Sequence, residues 1–165
     1  RKLSSPRGAY CEVFEAVREH GFVHGFTWSH NGVGAAVAHA ALRRLQDGDL
    51  VEASARQGER LLKSLSSALA DEPSVGDVRG IGLMVGVELV ADRASKAPFP
   101  RALQATERVV AAAREAGLLL YSSTGHVDGR DGDLVMLGPP FVISDEERDL
   151  VVDRTAAAIA SLRPA

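Results

Sequence analysis

The run Val75-Gly76-Asp77-Val78-Arg79-Gly80-Ile81-Gly82-Leu83-Met84-Val85-Gly86-Val87-Glu88-Leu89-Val90 constrains this chain more than any other segment. It reads as two extended pieces around Gly80 and Gly82. The second piece, from Leu83 onward, is mostly apolar, as expected of a strand buried on both faces or nearly so. The stretch from Ile81 to Val90 is about half the length that a bilayer requires and contains Glu88, so it does not read as a membrane span. A buried strand needs elements to cover it, and the rest of the sequence supplies helices.

A short helical pattern runs from Gly8 to Glu19, with Val13, Phe14 and Val17 on one stripe and Gly21 ending it. An aromatic and polar loop, Phe22 to Asn31, has no clean period. Asn31 or Ser29 can cap the next helix, Gly32 to about Gln46, whose first half is nearly all Gly, Ala and Val. Such small side chains permit close approach, which predicts burial of this helix against a partner outside the chain. Asp49 is placed to cap a helix from Leu50 to about Leu69, with Val51, Ala55, Leu61, Leu62, Leu65 and Leu69 as its apolar stripe. After the double strand and a polar loop at 91–100, a helix from about Arg101 to Ala116 carries Leu103, Val109, Val110 and Ala113 inward and stops at Gly117. Leu118–Tyr121 and Leu134–Leu137 read as short strands around a loop from Ser122 to Gly132. Ser144-Asp145-Glu146-Glu147 is a capping box for the last helix, which buries Val151, Ala158, Ile159 and Leu162. The alternation describes an α/β chain, an α+β sandwich built on a small sheet.

The 165 residues, 45% hydrophobic and 25% charged, have the balance of a soluble globular chain, large enough for one well-cored domain. A net charge of −3, with basic residues scattered, advertises no face for nucleic acid or an anionic membrane. The single Cys11 excludes an internal disulfide and, with no apolar run near the N-terminus, points to a cytoplasmic protein.

Three segments carry a family resemblance. Phe22-Val23-His24-Gly25-Phe26-Thr27-Trp28-Ser29-His30-Asn31-Gly32-Val33-Gly34-Ala35-Ala36 is similar to a "His-Gly-x-Thr-(Tyr/Phe)-Ser" loop and the Ala-rich helix after it. The segment from Val75 to Leu89 matches "Val-Arg-Gly-x-Gly-Leu-Met-x-Gly-(Val/Ile)-Glu-Leu" almost residue for residue. Asp133 to Glu147 resembles a "Pro-Pro-hydrophobic-x-Ile-(Thr/Ser)-x-Glu-Glu" helix entry. Each pattern is weak to moderate alone. In this order they resemble the C-terminal third of the class III, pyridoxal-phosphate-dependent aminotransferases.

That resemblance implies a fold-type-I architecture, in which a large domain holds the cofactor and a small C-terminal domain closes over the substrate. Residues 1–48 would be a remnant of the large domain with its phosphate-contact loop and interdomain helix, and 49–165 the small domain. It also implies a homodimer, or association with a separate N-terminal part, and a reaction between a small-molecule amine and a 2-oxo acid. Thr27 sits where the family's loop threonine offers its hydroxyl and amide to the cofactor phosphate of the neighbouring subunit. On the residues alone, Thr27 could equally do no more than order its own loop.

The same resemblance leaves gaps. In the family, the cofactor's glycine-rich segment, its stacking aromatic and the carboxylate on the pyridine nitrogen lie upstream of the threonine loop, so this chain alone is expected to be inactive, with no catalytic residue assigned. Lys2-Leu3-Ser4-Ser5 looks like a shortened form of the segment that opens with the family's cofactor-linking lysine. Near a chain end Lys2 is expected to be solvated and a poor nucleophile. Arg79 could clamp a substrate carboxylate, but pairing with Asp77 or Glu88 is the stronger expectation. Some relatives carry a substrate-binding arginine after the strand that corresponds to Leu118–Leu120. Tyr121 stands there instead, which weighs against an amine:pyruvate type of specificity.

The five histidines give no metal-ligand spacing, because Gly21 interrupts the helix that would align His20 with His24, and His30, His39 and His126 fall in different elements. Gly80-x-Gly82-x-x-x-Gly86 lacks the following helix that a dinucleotide site requires. The alternative to a partial aminotransferase is a non-catalytic dimerisation or partner-binding module that keeps the small-domain fold.

Overall fold

The computed structural model describes residues 6–22, 25–27 and 29–163, the first six of these by backbone alone. In chain order the elements are α1 (Pro6–His20), α2 (Gly32–Asp47), α3 (Leu50–Ala68), β1 (Val75–Ile81), β2 (Met84–Leu89), α4 (Ala105–Glu115), β3 (Tyr121–Thr124), β4 (Asp133–Leu137) and α5 (Asp145–Ala160). The chain divides into two compact units, Arg1–Leu42 and Arg43–Ala165, with the division inside α2.

The second unit is built on a four-stranded sheet in the order β1-β2-β4-β3, every neighbouring pair antiparallel. Strand side chains alternate between faces, and the described residues of this unit cover only one face. Val85, Val87 and Leu89 of β2 and Val135 and Leu137 of β4 are buried together with Leu61 and Leu65 of α3, Val109 and Ala113 of α4, and Val152 and Ile159 of α5. Helices α3 and α4 pack on that face, and α5 lies against both. The opposite face stays open, with Met84 exposed and Gly86 and Met136 half-buried. The expectation of a strand covered on both sides is therefore corrected. Glycine at 86 and methionine at 84 make β2 look mostly apolar, although its burial alternates.

The glycines of the β1–β2 turn have a packing role. Gly82 adopts φ +53°, a left-handed conformation that favours glycine. A Cβ built on Gly58 of α3 would lie 2.1 Å from the Gly82 carbonyl, and one on Gly82 would lie 2.8 Å from Ser54 Oγ. Helix and turn thus touch backbone to backbone. This contact also moves the buried face of α3 relative to the expected stripe: Val51 and Ala55 are exposed, whereas Ser54 is half-buried and Gly58 buried.

Three further boundaries differ from the sequence reading. Asp49 does not cap α3 with its side chain; it takes φ 47°, a left-handed conformation, just ahead of the helix. The helix expected from Arg101 splits, because Gln104 at φ 48° separates a short 3-10 turn, Arg101–Leu103, from α4, and Leu103 is left half exposed. Gln104 makes no side-chain cap. The cap comes instead from Asp133 of β4, whose Oδ1 accepts from Thr106 N at 3.2 Å and from Thr106 Oγ1 at 2.6 Å, both residues being buried. The strand expected at Leu118–Tyr121 begins only at Tyr121, where pairing with Met136 starts, and takes in the first residues of the expected loop. Leu118 and Leu120 are half-buried against the core instead. At α5 the capping box forms as expected, with Glu147 N donating to Ser144 Oγ at 3.1 Å and Ser144 N donating to Glu147 Oε2 at 2.9 Å.

In the first unit, no described side chain of α1 is buried and α2 has no buried residue. The described residues of this chain do not bury α2, whose expected partner lies outside it. Its N-terminus is capped, nonetheless, by Asn31, whose Oδ1 accepts from Gly34 N at 3.1 Å.

Candidate functional site

The loop ahead of α2 holds the residue singled out from sequence. Phe26 N donates to Ser29 Oγ and Ser29 N to Phe26 O, each at 2.9 Å, which closes a turn around Thr27. His30 follows at φ 61°, and Asn31 then caps α2, which starts at Gly32. Ser29 therefore organises the turn and Asn31 takes the cap, which resolves the choice that the sequence left open. Thr27 is exposed in this turn, four residues before Asn31. An exposed threonine a few residues ahead of a helix N-terminus is suited to an anion, because the first-turn amides and the helix dipole favour negative charge there. The donor set therefore fits a phosphate group. Val23, His24 and Trp28 of the same loop, and Lys2, lie outside the described residues.

The second unit offers a different surface. On the open sheet face, Arg79 Nη1 donates to Asp77 Oδ2 at 2.7 Å and to Glu88 Oε2 at 3.3 Å. The hydrogen bond from Arg79 holds the Asp77 carboxyl below its ordinary range, and the two carboxylates raise the guanidinium further. Arg79 is thus engaged by its own strand and its neighbour rather than presented singly to a ligand. Beside this triplet a shallow depression of about 410 Å³ runs over Ile81, Met84, Gly86, Leu134 and Met136. A second, of about 340 Å³, continues past Met84 and Met136 to Leu119 and Tyr121. Ile81 is 83% exposed, Leu119 82% and Tyr121 68%. The sequence reading picked out Arg79 and Tyr121 one by one. It missed that they border one apolar trough, because the register that aligns Tyr121 with Met136 and Met136 with Gly86 is set by strand pairing between distant segments.

The described histidines have ordinary surface surroundings where a partner is seen. His20 lies 3.9 Å from Glu19 at the surface, and His126 Nε2 is 2.8 Å from Ser123 Oγ in the β3–β4 loop. Among the described residues, no three of His, Cys, Asp and Glu converge on a possible metal position, and no helix is long and apolar enough to cross a membrane.

Charged residues inside the second unit serve its architecture. Glu72, 4% exposed, accepts from Arg163 Nε and Nη2 at 3.0 and 2.7 Å and from Ser74 N at 3.3 Å, fastening the end of the chain to the α3–β1 connection. Asp145 accepts from Gln57 at 2.9 Å, from Arg60 at 3.3 Å and from Arg148 at 2.7 Å, joining α3 to α5.

Comparison with known proteins accounts for both regions together. The model of the family "Aminotransferase class-III" matches residues 5–159. The chain is 34% identical over 138 residues to the uncharacterized aminotransferase YodT of Bacillus subtilis, a match covering 84% of this chain and 31% of that protein. It is 33% identical over 136 residues to a diaminobutyrate–2-oxoglutarate transaminase of Halomonas elongata, covering 82% of this chain and 28% of that one. Among solved structures, an aminotransferase of Bacillus anthracis superposes with a TM-score of 0.81 at 34% identity, over 92% of this chain and 34% of that one. A transaminase of the marine bacterium Virgibacillus gives 0.82 at 33% identity, over 91% and 34%. The chain therefore spans about a third of the length of the proteins it matches. Since the family's model runs through the Thr27 turn, the glycine-pinned strand pair and the capping box alike, this chain belongs to the class III aminotransferases.

Proposed function

We propose that this chain forms the C-terminal part of a pyridoxal-phosphate-dependent transaminase that moves an amino group between an amine or ω-amino acid and a 2-oxo acid. The family match over residues 5–159 carries this reading, and the turn around Thr27 supports it. Pyridoxal phosphate, when bound, supplies an electron sink that lets the carbon bearing the amino group give up and regain a proton. The proposed part of this chain is binding. Thr27 donates its hydroxyl and amide hydrogens to the cofactor phosphate of a neighbouring subunit, so the active unit is a homodimer, and the start of α2 adds a favourable potential. The residues upstream in the family's longer chains would hold the ring and the amine nucleophile, so no proton-transfer role is assigned to the residues described. A cytoplasmic location belongs to the same proposal and is in keeping with the single Cys11.

The test is a titration of pyridoxal phosphate into the purified chain, alone and together with a polypeptide that supplies the remaining two thirds of a class III enzyme. The visible absorption of protein-bound cofactor is expected only in the second case. There Thr27→Ala should weaken cofactor retention about tenfold, the worth of one hydrogen bond to a charged group, and Thr27→Ser should restore it. Cofactor bound by the chain alone and lost in Lys2→Ala would instead revive self-sufficient catalysis. Absence of binding in every combination would favour the non-catalytic module.

A further inference from the structure

We draw no further inference here: the strongest candidate, the apolar trough on the open face of the four-stranded sheet around Met84, Met136 and Tyr121, carries nothing because no feature of the structure shows what covers it.

Discussion

Residues 43–163 and residues 6–42 draw on similar apolar side chains and use them in opposite ways. In the first region Leu61, Leu65, Val85, Val87, Val109, Val135 and Ile159 are wholly or almost wholly removed from water around one face of a sheet. In the second, Phe14, Val33 and Val37 are each more than 60% exposed, on helices with no buried residue among those described. Burial of an aliphatic side chain is worth roughly 1.5–3 kcal/mol, so the first region has a large hydrophobic driving force within itself and the second has little. Helical form and tertiary stability are separable: α1 and α2 are helical although no described side chain of either is buried.

The contrast can be tested most sharply at Gly58. Gly58→Ala would drive a methyl group into the Gly82 carbonyl and is expected to destabilise the cored region by about 3 kcal/mol, read as a lowered urea midpoint. A neutral result would mean that α3 and the β1–β2 turn are not in backbone contact. Next comes Thr106→Val, which keeps the shape but removes the hydroxyl that serves Asp133. A loss of about 2 kcal/mol is expected, because a buried carboxylate forfeits a partner, and reduced hydrogen-exchange protection at the start of α4 should accompany it.

A smaller effect is expected with acid. The Arg79 hydrogen bond lowers the Asp77 carboxyl from its ordinary value of 3.8. A folded value below the unfolded one contributes stability above about pH 4 and loses it as pH falls through the folded value. Asp77→Asn should therefore flatten the acid limb of a stability–pH profile slightly, since the pair is largely solvated; an unchanged limb would show that Arg79 and Asp77 do not pair in solution. The smallest effect belongs to the other region. Val37→Ala should shift the unfolding of the isolated chain by no more than about 0.5 kcal/mol, and a shift of core size would mean that α2 is covered after all.

How much of this was legible beforehand depended on whether the information was local. The capping box at Ser144 and Glu147 was readable because both partners lie within one turn. The strand pair at Val75–Leu89 was readable because two glycines punctuate it. The start of α4 was not, since Gln104 adopts a left-handed conformation and the carboxylate that caps it comes from Asp133, 27 residues beyond its partner Thr106. The start of β3 was hidden for a related reason: Leu118–Leu120 look more strand-like than Tyr121-Ser122-Ser123-Thr124, but only the latter pair with β4. At the candidate site Thr27 was legible through its motif, whereas the turn that presents it depends on Ser29 folding back on Phe26. The trough on the open face was not legible at all, because it exists only once strand register is fixed.

Asp133 also has a consequence for the route by which the chain folds. Helix α4 has no side-chain cap from its own N-cap residue, Gln104, so until Asp133 is in place its first turn has amides with no acceptor except water. Only when β4 takes its place between β2 and β3 does the carboxylate arrive. A local element is in this way made conditional on a distant one, so that the helix and the central strand should gain and lose their structure in a single step.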